Sequence, residues 1–138
     1  MTPYLEHANL TVRDLDGAVE FLRTAIPEFE VRGRGEGDDR RWLHLGTATS
    51  YVALEAPHEP GERMQRPYRD PGINHLGFVV EDAAAVRLRL LEAGYTEGIQ
   101  AGPHPHRVRI YFYDRDGIEY EFVQYLSGDD AERNDYSR

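Results

Sequence analysis

Apolar positions recur along this chain with two different periods. After Asp14, the residues Leu15, Ala18, Val19, Leu22 and Ile26 follow the i, i+3, i+4, i+7 spacing of one buried helix face. Asp14 is placed to cap that helix and Pro27 to stop it. After Asp82, the residues Ala83, Val86, Leu90 and Ala93 repeat the pattern, with Gly94 suited to a C-terminal cap. Elsewhere the period falls to two. Runs rich in Val, Ile, Tyr and Phe, bounded by Gly, Pro and Asp, predict strands over 5–12, 29–34, 41–46, 51–56, 73–80, 96–100, 108–113 and 118–126.

The order strand, helix, strand, strand, strand therefore occurs twice. The segment 57–72 holds Pro57, Pro60, Pro67 and Pro71 without periodicity and reads as a linker. Residues 1–56 form a first βαβββ module, 73–126 a second, and 127–138 a polar, mobile C-terminal tail. The stretch 32–41 (RGRGEGDDRR) reads as a solvated hairpin loop. An offset of 68 residues tests duplication: His7 falls on His75, Val12 on Val80, Asp14 on Asp82 and Leu22 on Leu90, with no gap needed.

Strand parity then gives direction to the side chains. Ala8, Leu10 and Val12 share one face of the first strand, and His7, Asn9 and Thr11 the other. In the fifth strand Leu76, Phe78 and Val80 oppose His75, Gly77 and Val79. The helices cover the apolar faces, so His7 and His75 point away from them, at equivalent places of the repeat. In the last strand Glu119, Glu121 and Val123 oppose Tyr120 and Phe122. Glu119 and Glu121 are candidates for an anionic metal ligand or, equally, for a solvated strand face.

The 40% of apolar residues can form a core, while 30% charged residues and a mean hydropathy of −0.66 mark a water-soluble chain. A net charge of −9 without a basic stripe disfavours nucleic-acid and anionic-membrane partners. No apolar run has membrane-spanning length and the N-terminus lacks the pattern of a signal peptide, so a cytoplasmic location is expected. There is no cysteine, and all 16 basic residues are arginine. Thiolate–zinc sites, cysteine nucleophiles, lysine Schiff bases and a Walker P-loop are excluded. Histidine, carboxylate and hydroxyl chemistry remains, with or without a bound metal.

Three stretches carry a family resemblance that covers roughly residues 4–126. They are His7-Ala8-Asn9-Leu10-Thr11-Val12-Arg13-Asp14-Leu15, Asn74-His75-Leu76-Gly77-Phe78-Val79-Val80-Glu81-Asp82, and Asp114-Arg115-Asp116-Gly117-Ile118-Glu119-Tyr120-Glu121-Phe122. In order and spacing the chain resembles the vicinal oxygen chelate superfamily, which includes glyoxalase I, bleomycin-resistance proteins, extradiol dioxygenases and fosfomycin-resistance enzymes. The resemblance implies an α+β fold of two βαβββ modules, each a curled, partly open mixed sheet around a cavity with its helix outside. It also implies a divalent metal (Fe, Mn, Ni or Zn) on His7, His75 and Glu121, a small oxygenated organic substrate chelated to that metal, and a homodimer. One departure stands out. The carboxylate that glyoxalase I carries in the last strand of its first module falls on Ala53, and Glu55 lies two residues further along the same face.

The expected function is thus a metal-dependent enzyme of glyoxalase or dioxygenase type; the alternative is a metal-independent binder of bleomycin-resistance type. Glu55 and His44 are the candidate proton-transfer residues, His44 being otherwise a half-exposed strand residue. Trp42, His106, Arg109 and Tyr111 are candidate substrate contacts, and the stiff stretch 102–109 either meets an anionic substrate or is a plain exposed turn.

Overall fold

The computed structural model describes residues 1–63 and 65–137, and the chain divides into two compact units, Met1–Met64 and Gln65–Arg138. The first runs β1 (His7–Thr11), α1 (Leu15–Ala25), β2 (Glu30–Glu36), β3 (Arg40–Gly46) and β4 (Tyr51–Pro57). The second runs β5 (His75–Val79), α2 (Ala83–Glu92), β6 (Thr96–Glu97), β7 (Arg107–Tyr113), β8 (Glu119–Tyr125) and α3 (Asp130–Arg133). Each has one four-stranded mixed sheet, ordered β1-β4-β3-β2 and β5-β8-β7-β6, with one parallel pair at the edge. This is an α+β fold of two βαβββ modules, neither sheet closing into a barrel. Among the described residues, no helix is long and apolar enough to cross a membrane.

Both helices start where the sequence places them. The Asp14 carboxylate accepts from the amides of Asp16 and Gly17, and that of Asp82 from Ala85 N; such caps contribute about 1 kcal/mol each. α1 buries Leu15, Ala18, Phe21, Leu22 and Ala25, so Phe21 and Ala25 take the inward places expected of Val19 and Ile26. They pack with Leu45, Val52 and Leu54 of their own sheet. α2 buries Ala83, Val86 and Leu90, and packs with Phe112, Tyr120 and Phe122. Ala93 is its exposed C-cap, followed by Gly94 at φ +86°, a left-handed residue that glycine adopts without strain.

The repeat is visible in strand register. His7 pairs with Tyr51 and Asn9 with Ala53; 68 positions on, His75 pairs with Glu119 and Gly77 with Glu121. The gapless offset fails at the following hairpin. His44 pairs with Ala53, whereas Tyr111, 67 positions after His44, pairs with Glu121. The cause is one extra residue in the turn at 114–118, where Asp114 Oδ1 accepts from Asp116 N and Ile118 N and Gly117 takes φ +78°.

Three local expectations are corrected. The stretch 32–41 is mostly strand, because Gly33 and Gly35 leave room for the Trp42 ring across the ladder; a Cβ at Gly35 would fall 2.6 Å from Trp42 Nε1. The strand expected over 96–100 is only Thr96–Glu97, and Gly98 then donates to Tyr111 O. Of the segment expected to be a mobile tail, the described residues 127–137 are anchored, with α3 among them. Arg107 Nη1 donates to Arg133 O, Tyr136 lies 5.1 Å from the Arg107 guanidinium, and Arg133 lies 4.2 Å from the Tyr125 ring.

An ion pair fastens α2 to the short β6. Arg87 donates to both oxygens of Glu97, at 2.7 and 2.8 Å, and this holds the Glu97 carboxyl below the ordinary glutamate range. A lowered folded-state pKa stabilises above the unfolded value, and the effect disappears as pH falls through the folded one. Urea denaturation is therefore expected to separate the wild type from Glu97→Gln at pH 7 and to bring them together near pH 3. An equal gap at both pH values would contradict this.

Candidate functional site

β5 and β8 lie side by side and in parallel, so the residues facing away from α2 form one polar surface. His75, Glu119 and Tyr113 share one rung of it, and Gly77, Glu121 and Tyr111 the next. Around His75 the groups are in contact. Its Nε2 lies 3.0 Å from Glu121 Oε2, its Nδ1 3.3 Å from Glu119 Oε1 and 2.9 Å from the Tyr68 hydroxyl. The Tyr111 ring meets it edge-on at 5.7 Å.

The hydrogen bonds define the tautomer. Tyr68 donates its single proton to Glu119, so it can only accept from His75, and Nδ1 must carry the proton. In a neutral imidazole Nε2 then presents a lone pair to a carboxylate oxygen. Two lone pairs at 3.0 Å repel unless a proton or a cation lies between them. Donor atoms held about 2.0–2.2 Å from one ion at right angles would also stand roughly 3 Å apart. A proton on Nε2 or a cation between the two atoms satisfies this geometry equally.

The surroundings are acidic. Glu119 is 5% exposed, and the two carboxylates meet one imidazole and three phenols. The Tyr113 phenol is pushed up by its hydrogen bond to Glu119, and those of Tyr68 and Tyr111 chiefly by burial. All three stay neutral donors at ordinary pH.

The first unit carries the equivalent face. His7 stacks on Tyr51 at 4.9 Å, with Glu6 Oε1 2.9 Å from its Nδ1. His44 stacks on the same tyrosine at 5.0 Å, and Trp42 leans on His44 at 5.1 Å. Arg32 lies over Tyr51 at 3.9 Å. Ala53 keeps the place that Glu121 holds in the second unit. Glu55 pairs across the ladder with Thr11 and Trp42, and its carboxylate is held by Arg40 at 3.1 Å.

The remaining expected contacts separate. Tyr111 is at the His75 cluster, and Arg109 is one rung further along the same face. His106 lies at the mouth of the docked tail, 3.7 Å from Glu132. Among the described residues, no group of three or more His, Asp or Glu side chains is arranged to hold a metal ion. His75 and Glu121 stand together in the second unit, and His7 belongs to the first.

One member of the cluster, Tyr68, had no signal in the hydrophobic pattern. Tyr68 lies in the 57–72 segment, where no periodicity points anywhere. A usable signal was present, since Arg66 and Asp70 flank it and Asn74 precedes His75. Asp70 binds Arg66 through side chain and backbone, and Asn74 Oδ1 accepts from Tyr68 N. These clamps hold Tyr68 at φ +63°, a strained value for a residue with a Cβ. Glu119 was visible as a candidate, but its burial depends on the phenols of other strands and loops.

The sequence model of the Glyoxalase/Bleomycin resistance protein/Dioxygenase superfamily matches residues 4–122. No curated protein matches the chain. Among solved structures, a glyoxylase/bleomycin resistance protein/dioxygenase domain from Frankia sp. EAN1pec is 26% identical, with a TM-score of 0.73, covering 91% of this chain and 99% of that one. The fosfomycin resistance protein FosX from Listeria monocytogenes, solved with Mn(II) and sulfate, is 20% identical, with a TM-score of 0.69 and coverages of 96% and 98%. The trypanothione-dependent glyoxalase I of Leishmania major is 15% identical, with a TM-score of 0.71 and coverages of 89% and 87%. The last two share the fold.

Proposed function

From the premise that the chain belongs to the Glyoxalase/Bleomycin resistance protein/Dioxygenase superfamily, we propose that it is a metal-dependent enzyme of glyoxalase or dioxygenase type, acting on a small oxygenated organic substrate. The observation that supports this is the opposition of His75 Nε2 and Glu121 Oε2 in an acidic, lysine-free surrounding. His75 and Glu121 would hold a divalent ion (Fe, Mn, Ni or Zn) together with His7, the third ligand the family resemblance implies. The listerial relative solved with Mn(II) is consistent with a hard divalent ion. When bound, the metal acts as a Lewis acid on the substrate's vicinal oxygens.

The chain's own groups do the rest. Glu119 and Tyr68 orient His75 through Nδ1, the role of outer partners in metal sites. Tyr111 offers a neutral phenol beside Glu121. His44, whose ring nitrogens make no hydrogen bond among the described residues, is better placed to move a proton than Glu55, which Arg40 already engages. The homodimer implied by the resemblance, and the cytoplasmic location expected from the hydropathy pattern, belong to the same proposal.

The test is turnover by stripped protein reloaded with Fe²⁺, Mn²⁺, Ni²⁺ or Zn²⁺. Catechols under oxygen and hemithioacetals of 2-oxoaldehydes are the substrates to offer. Turnover of one class that chelator abolishes and metal restores is expected. No metal-dependent turnover, with ligand binding indifferent to chelator, would favour the metal-independent binding protein instead.

A further inference from the structure

We infer that the substrate carries a carboxylate and that Arg109 receives it; this rests on the metal-chelation reading above. On the His75 face of the second sheet, the rung after Glu121 is formed by Arg109, Val123 and Val79. The face is therefore polarised, with carboxylates on two adjacent rungs and a guanidinium on the third. Arg109 is half-buried and makes no hydrogen bond or ion pair among the described residues. Arg40, Arg66 and Arg87 each hold a carboxylate, while Arg23, Arg34, Arg41 and Arg69 are exposed to water; Arg109 is partly withdrawn from it. With Glu121 a rung away and no acceptor in hydrogen-bond reach among the described residues, the Arg109 donors stay available to an anionic ligand.

The neighbouring cation is covered by the C-terminal segment, although its Nε has no partner among the described residues. Arg107, two residues back on the same face, is buried, gives Nη1 to Arg133 O and lies against Tyr136. The Arg109 guanidinium fork matches the two oxygens of a carboxylate. Space for the ligand lies between the charged rungs. A Cβ added at Gly77 would meet Glu121 Oε2 at 3.8 Å and no other atom within 4 Å beyond its chain neighbours, so the Gly77 backbone itself fills little of the space over the middle rung. Positions i and i+2 of a strand are roughly 6.5–7 Å apart. A molecule with its chelating oxygens at His75 and Glu121 reaches Arg109 with a carboxylate roughly three to five bonds away.

Two hydroxamates of equal length test this on Co²⁺-loaded protein, by calorimetry or the visible cobalt spectrum. Succinate monohydroxamate and butyrohydroxamate share the two-oxygen chelating group and differ in the terminal carboxylate. The wild type is expected to prefer the succinate probe by at least about tenfold. Arg109→Gln should lose that preference while binding butyrohydroxamate as before, which also shows the variant to be folded. Arg109→Lys, with the charge but not the fork, should keep part of it. Equal affinities in the wild type, or an unchanged preference in Arg109→Gln, overturn the inference. Failure of both probes to bind the loaded protein overturns the chelation reading itself, and this inference with it.

Discussion

Truncating Phe122 to alanine is expected to destabilise the second unit by about 3–5 kcal/mol and to lower its Tm by more than about 10 °C. Phe122 is fully buried in the middle of β8, paired in register with Phe78 and Ile110. Its ring lies 6.1 Å from that of Phe78, on the sheet face that α2 covers with Val86 and Leu90. Removing the ring loses its transfer free energy and leaves a cavity that a helix packed on a sheet closes only in part. Urea or thermal denaturation measures the cost. A loss below about 1 kcal/mol would mean that this face is not the core.

The preceding residue should behave in the opposite way. Glu121→Gln keeps the shape of the side chain and removes its charge, on the face away from α2. Folding stability should change by no more than about 1 kcal/mol, since relieving one of two crowded carboxylates offsets the weakened contact with His75. Divalent-metal affinity should fall by more than the roughly 10–100-fold typical of losing an outer partner, because a ligand itself is lost. Competition with a chromophoric chelator for Co²⁺ or Mn²⁺ reads this directly. An affinity within about tenfold of wild type would remove Glu121 from the ligand set.

The contrast between these neighbours was legible in the sequence, because side chains on a strand alternate strictly between two faces. Parity alone separates Phe122 from Glu121 and Phe78 from His75, the family resemblance joins Glu121 to His75, and the paired caps Asp14 and Asp82 locate both helices. Other features depend on register or tertiary company, which periodicity does not encode. The five-residue turn at 114–118 shifts β7 by one place relative to β3, so His44 matches Tyr111 and not Phe112. Tyr68 reaches His75 from an aperiodic loop clamped by Arg66, Asp70 and Asn74. The 127–138 segment looks like a solvated tail in sequence, yet Arg107 and Tyr125 give Arg133 within it a docking surface. Composition showed an excess of carboxylates but could not show that Arg109 would be left without one.

Everything proposed for the site turns on whether a cation belongs between His75 and Glu121. The most direct measurement is elemental analysis of protein purified without chelator and then offered Fe²⁺, Mn²⁺, Ni²⁺ and Zn²⁺, with His75→Ala alongside and circular dichroism to show that both are folded. About one divalent ion per wild-type chain, and almost none in His75→Ala, is the predicted result. Less than about a tenth of an ion per wild-type chain, or the same content in the folded variant, would contradict it.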